Sequence, residues 1–180
     1  MRSSNNTSNF VNKFLPIFRQ LETTMSRDFN EISSMQSSVN LPLDFAEKTQ
    51  ERIAEKLSYE IEKSWPDAGL IINSQIIKES SSDKKRYFIL NILDGFENFL
   101  RSIEFFANSL TIIDSYDTES EKVICNIISN PALNHFFWFT PETGGFKDKC
   151  RISASRQDNL SQIITIDEIG EFADKIKKLQ

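Results

Sequence analysis

Two stretches in the first third of the chain repeat apolar residues at the spacing of one helix face. In the first stretch they are three or four positions apart: Phe10, Phe14, Ile17, Leu21 and Met25. In the second they are four apart: Ile53, Leu57 and Ile61. This periodicity predicts helices near residues 10–30 and 44–64, each with one face in the core. Pro16 should kink or restart the first helix, because proline donates no backbone hydrogen bond.

After residue 65 the apolar residues occur in short runs, which is typical of buried strands. The predicted strands are 70–72, 87–93, 105–113, 123–129, 133–140 and the region of Arg151. Short loops join successive strands, so we expect mainly antiparallel pairing with the two helices packed on one face of the sheet. The predicted fold class is therefore α+β, an α/β sandwich.

The two ends of the chain differ from this pattern. Residues 1–9 are polar and are predicted to be disordered. Residues 167–180 predict a short helix, with Ile169, Phe172, Ala173 and Ile176 on one face. Residues 79–86 read as a polar loop and 144–146 as a glycine turn. The domain predicted from the pattern thus runs over residues 10–166.

Composition narrows the class of protein. A chain of 180 residues with 39% hydrophobic content and 15 Phe can bury a sizeable single core. Its net charge of -5 argues against direct nucleic-acid binding, and no local Lys/Arg cluster argues for it. No apolar run reaches membrane-spanning length and the first residues lack a signal core, so we expect a cytoplasmic protein. Cys125 and Cys150 are far apart and are predicted to be free thiols.

The candidate chemistry lies in residues 87–99. An apolar and aromatic run from Tyr87 to Leu93 ends at Asp94 and Gly95, which predicts a buried strand that stops at a tight turn. A carboxylate there, followed by a glycine that lets backbone approach a ligand, is a common way to place an oxygen ligand beside a phosphate site. An Asp-Gly pair alone indicates only a turn.

The longer pattern resembles the inositol monophosphatase family, most closely its bacterial extragenic-suppressor, SuhB-type, branch. Residues 91–99, N-I-L-D-G-F-E-N-F, match the family's D-P-[IL]-D-G-[ST]-x-N-F, and F-F-A-N-S at 105–109 matches its F-x-[AV]-x-S. The resemblance extends from about residue 10 to residue 166. It implies an inositol monophosphatase-like N-terminal domain at 10–166, truncated before the family's C-terminal α/β layer.

The resemblance also implies an activity, magnesium-dependent hydrolysis of phosphate monoesters such as inositol phosphates, with Mg²⁺ as cofactor. By that match Asp94 is a metal ligand. Asn73 and Asn91 are degenerate metal positions, because the family has acids there. Hard cations such as Mg²⁺ require oxygen ligands, and amides supply these without negative charge.

Four further positions follow from the same match. Gly95 and Phe96 fall at the phosphate-binding turn, and Phe96 replaces the family's Thr. Asn40 and Gln50 stand where the family has Lys and Asp. With so many charged positions lost, we expect impaired catalysis and a weakly bound or absent Mg²⁺.

Three interpretations remain open. The first is a catalytically silent member that acts as an interaction module. The second is a weak Mg²⁺-dependent phosphomonoesterase using Asp94, Glu97 and the Asn amides. The third is a non-functional fragment of a split or decaying gene. The expected partners are a second copy or a separate C-terminal fragment, bound through the sheet edge and residues 163–176. In the alternative, the helix predicted at 167–179 folds back and covers the exposed side itself. By resemblance, a protein of the transcription machinery is a further partner, and no membrane is expected.

Overall fold

The computed structural model describes residues 4–35, 41–115 and 121–154. Asn40, residues 155–166 of the predicted domain and the predicted helix at 167–180 lie outside these described residues. Two long helices come first, α1 (Ser4–Met35) and α2 (Leu41–Ser64). None of the described helices is long and apolar enough to span a membrane.

A sheet follows the two helices. Its strands, with one short helix, are β1 (Gly69–Ile72), β2 (Gln75–Lys78), β3 (Arg86–Asp94), α3 (Phe96–Leu100), β4 (Ala107–Ser115), β5 (Glu121–Asn130), β6 (His135–Thr140), β7 (Gly144–Lys147) and β8 (Cys150–Ile152). The strand order is β2-β1-β3-β4-β5-β6-β7-β8, and β1 with β3 is the parallel pair among otherwise antiparallel neighbours of the described chain. The predicted α+β class, two helices on a mainly antiparallel sheet, is confirmed.

The core lies between the helices and one face of the sheet. In β3 the buried residues Phe88, Leu90 and Ile92 alternate with more exposed ones, as the period of two in a strand requires. Phe88 packs in an aromatic cluster whose other members are Phe10, Phe14 and Trp65, with ring centroids 5.0 to 6.1 Å apart. This cluster holds α1 and Trp65, the residue that follows α2, against β3.

Polar contacts also tie α1 to distant parts of the sheet. The buried Ser129 hydroxyl donates to Glu22 Oε1 at 2.8 Å, and Ser26 Oγ donates to the Pro131 carbonyl at 3.1 Å. Arg19 forms an ion pair with Asp148 at the start of the β7–β8 turn. The first helix is therefore anchored by residues more than a hundred positions later in the chain.

Three expectations need correction. Helix α1 begins at Ser4, so residues 4–9 are helical rather than disordered; polar residues here extend a helix that packing stabilises further along. The helix continues through Pro16, so of the two effects expected of this proline the restart is wrong and the kink stays a prediction. Residues 144–147 form strand β7 rather than a turn alone, because Phe146 pairs with Trp138 and their rings stack at 4.2 Å.

The two cysteines provide a test of this packing. Burial raises the pKa of Cys125 in β5 to about 12, whereas Cys150 in β8 is exposed. Cys125 is therefore a protonated thiol at pH 8, and the thiolate is the reactive form. We expect one fast equivalent per chain with a thiol reagent such as DTNB in the native protein, and the second only after denaturation. Cys150→Ser should abolish the fast reaction with the reagent. A fast reaction that remains in this variant would come from Cys125 and would contradict its buried position in β5.

Candidate functional site

The regular pairing of β3 with β4 is interrupted near the end of β3. Asn91 pairs with Ser109, but the next pairing is Asp94 with Ala107, so the register shifts between them. Leu93 adopts a left-handed φ of 52°, and its N–H donates to Asn108 Oδ1 at 2.9 Å. Asn108 is buried and thereby fixes the bulge that places Asp94 at the strand end.

The turn after Asp94 requires a glycine. Gly95 has a φ of 84°, and a Cβ added there would lie 2.7 Å from the Phe105 carbonyl oxygen. Asn98 Nδ2 donates to that same carbonyl at 2.6 Å, and Phe99 is fully buried in α3. The conformation of this D-G-x-x-N-F segment thus depends on its Gly, Asn and Phe together.

A second turn meets the end of β3 from the neighbouring strand. Asn73 and Ser74 have φ of 46° and 67° and form the two-residue loop between β1 and β2, a loop length that favours left-handed residues such as Asn. Asn73 Oδ1 accepts the Ile92 N–H at 2.8 Å, and Asn73 Nδ2 donates to the Ile92 carbonyl at 3.4 Å. The side chain therefore holds this turn against β3.

These two turns border a cavity of about 380 Å³. Its lining residues are Gln50, Asn73, Ser74, Asn91, Ile92, Leu93, Asp94, Gly95 and Phe96. Six of the seven candidate site residues taken from the sequence meet here, and the seventh, Asn40, lies outside the described chain. Their roles as ligands stay predictions. The buried Asn108, which positions the turn, was not a candidate, because nothing in its local sequence indicates the bulge.

The cavity is poor in charge. Asp94 is the carboxylate among its lining residues, and it is exposed. Gln50 Nε2 donates to the Ile92 carbonyl at 2.7 Å, and the Asn73 amide oxygen already accepts a main-chain N–H. Glu97 does not line the cavity; it is exposed on α3 and pairs with Arg101 at 3.4 Å.

The donor set does not fit a magnesium cluster. Within the described ranges no three His, Cys, Asp or Glu side chains form a group that could hold a metal ion. Hard divalent cations need several oxygen ligands, with net negative charge where more than one ion is held together. What the cavity offers instead is one carboxylate and neutral amides, two of which are bonded to the same residue of β3.

The architecture is that of the phosphatases of inositol monophosphatase type. Extragenic suppressor protein SuhB from Bartonella henselae superposes with a TM-score of 0.59 at 23% identity, covering 77% of this chain and 50% of that one. Inositol monophosphatase II from Staphylococcus aureus gives a TM-score of 0.58 at 13% identity, with 80% and 54% covered. At these identities the similarity establishes the fold.

Sequence comparison finds inositol-1-monophosphatases among the relatives of the chain. No family model matches the chain. An inositol-1-monophosphatase of Mesorhizobium japonicum is 28% identical over 122 residues, 68% of this chain and 43% of the relative. One of Caulobacter vibrioides is 26% identical over 141 residues, 77% and 53% respectively. The chain is thus similar in sequence to inositol-1-monophosphatases and in fold to SuhB, and the resemblance seen in the sequence is confirmed. The chain spans about half the length of the curated relatives it matches.

Proposed function

We propose that this chain is an inositol monophosphatase-like protein of the SuhB type whose site is catalytically impaired, and which acts as an interaction module. One observation carries the proposal: the cavity presents Asn73, Asn91 and Gln50 beside a single carboxylate, Asp94. Phosphate monoester hydrolysis in such a fold depends on divalent ions that activate water and neutralise the phosphate. The residues at hand do not supply the charge that those ions require.

The magnitude of the lost charge supports the proposal. Two unit charges 4 Å apart interact by about 4 kcal/mol at an effective dielectric constant near 20. A divalent ion doubles that attraction for each carboxylate, and an amide supplies only a dipole. Three amides in place of acids therefore remove more attraction than one carboxylate can restore.

An assay of phosphate release tests the proposal. We expect the purified chain to hydrolyse inositol 1-phosphate or 4-nitrophenyl phosphate at millimolar Mg²⁺ no faster than its Asp94→Ala variant. Asp94 is exposed, so the substitution leaves the core intact and the variant serves as a matched negative control. An active inositol monophosphatase assayed in parallel shows that the conditions support the reaction.

The opposite result defines the alternative. A rate that depends on Mg²⁺ and disappears in Asp94→Ala would establish a weak phosphomonoesterase and overturn the proposal. The position of Glu97 disfavours that alternative, because its carboxylate pairs with Arg101 on the exposed side of α3. Under the third interpretation the chain is a non-functional fragment of a split or decaying gene. In that case it should not accumulate as folded protein in the cell that encodes it.

For the interaction module we propose a partner in the transcription machinery. This partner class follows from the similarity to SuhB-type proteins. Titration of the labelled chain with purified RNA polymerase measures the interaction directly. Binding that survives Asp94→Ala would separate it from any use of the candidate site, and absence of binding at micromolar concentrations would remove this partner class.

A further inference from the structure

The helices cover one face of the sheet and leave the other open. Strand register places one row of residues across all eight described strands on the open face: Ile76, Ile71, Ile89, Thr111, Asn126, Phe139, Gly145 and Ile152. The adjacent row reads Asn91, Ser109, Ile128, Phe137, Lys147 and Cys150. Both rows alternate with the buried residues beneath the helices, as the period of two in a strand requires.

Apolar residues lie at both ends of this face. Ile71, Ile76 and Ile89 form one group on β1 to β3, and a second group lies on strands β5 to β8. Ile128, Phe139 and Ile152 are 38%, 40% and 46% exposed, and Phe137 lies beside them in the register. Towards the middle of the sheet the face becomes polar, where Asn126 Nδ2 donates to Thr111 Oγ1 at 2.7 Å. We name the surface formed by Ile128, Phe137, Phe139 and Ile152 the open apolar face. Contiguous exposed apolar surface of this kind marks an interface.

We propose that residues 163–176 of the same chain dock on the open apolar face. Ile152 belongs to this face and lies two residues before residue 154, the last residue that the structure describes. A further 26 residues follow in the sequence. Ile169, Phe172 and Ile176 recur at helix spacing within them. A tethered segment acts at an effective concentration of about millimolar, far above that of a second copy in solution.

Dimensions and charge agree with this occupant. A helix over residues 167–179 is about 20 Å long. Four strands spaced by about 4.8 Å span about 14 Å, so one such helix crosses the open apolar face completely. Lys147, with its Nζ 5.7 Å from the Phe137 ring centroid, supplies a cation at the border of this face. Glu168 and Glu171 supply opposite charge beside the apolar stripe of the segment.

Hydrogen exchange of the full chain, read by mass spectrometry at low micromolar concentration, tests the proposal. We expect residues 163–176 to be protected in the unmodified chain. Phe139→Asp places a charge on the open apolar face, so exchange in this segment should accelerate by about tenfold or more. Phe139 is partly exposed, so protection within β3 and β4 reports whether the sheet itself remains folded.

Ile76→Asp is the matched control, since it puts the same charge on an exposed residue at the far end of the row. Exchange in residues 163–176 should not change in this variant. Exchange at the rate of an unstructured peptide in the unmodified chain would overturn the proposal. So would protection that rises with protein concentration together with a dimer in sedimentation, because that result assigns the open apolar face to a second copy.

Discussion

Phe88→Ala is expected to lower the free energy of unfolding by about 3 to 5 kcal/mol, the range measured when a large buried aromatic is truncated. Phe88 is fully buried at the centre of β3. Its ring lies 5.0 Å from that of Trp65 and 5.9 Å from that of Phe14, and the cavity left behind cannot close without moving α1. Guanidinium unfolding followed by circular dichroism measures the change.

Phe105→Ala is the matched control for this substitution. Phe105 is 71% exposed, and the carbonyl that fixes the Asn98 side chain belongs to its main chain, which the substitution keeps. We expect a change within about 0.5 kcal/mol. Equal losses in the two variants would mean that the aromatic cluster of Phe10, Phe14, Trp65 and Phe88 does not hold the helices on the sheet.

Arg86→Met is the second substitution with a large expected effect. Arg86 Nε and Nη2 donate to the two carboxylate oxygens of Asp114 at 2.6 and 2.8 Å. Asp114 is 2% exposed, so loss of the guanidinium leaves a buried carboxylate without its cation. Breaking such a pair costs about 3 to 5 kcal/mol, and thermal unfolding measures the loss. Methionine keeps much of the packing that Arg86 makes against the Phe10 ring.

Two further variants separate charge from packing. Arg86→Met combined with Asp114→Leu should be more stable than Arg86→Met alone, because the uncompensated charge is gone. Arg101→Met breaks the exposed pair with Glu97, in which both side chains are 72% exposed, and should change stability by no more than about 0.5 kcal/mol. A double variant less stable than the single one would assign the loss to packing.

The elements that the sequence predicts well are those whose apolar pattern is long. The helices at 10–30 and 44–64 and the strands at 87–93 and 123–129 each occur with boundaries shifted by a few residues. Two short strands have no such pattern. In β2, Gln75–Lys78 is four residues long and has both isoleucines exposed, and in β7 two glycines resemble a turn.

The candidate site was likewise predictable from the sequence only in part. Asp94 and Gly95 follow from a strand that ends at a turn signal, and the match to family motifs adds Gln50, Asn73 and Asn91. What sequence reasoning could not supply is how these residues are held. The left-handed Leu93 and its bond to Asn108 depend on a register shift between β3 and β4, and register is a property of the assembled sheet.

The contacts of α1 with the end of the sheet set the order in which this chain can become compact during synthesis. Strands β3 to β8 pair with sequence neighbours, so we expect them to close as local hairpins soon after they emerge from the ribosome. Helix α1 is translated first, yet Phe18 packs on Phe136 and Glu22 bonds Ser129, both more than a hundred residues later. At a translation rate of roughly 5 to 20 residues per second, the apolar face of α1 stays without its partner strands for several seconds or more. We therefore expect the nascent helix to bind chaperones that recognise amphipathic segments during that interval.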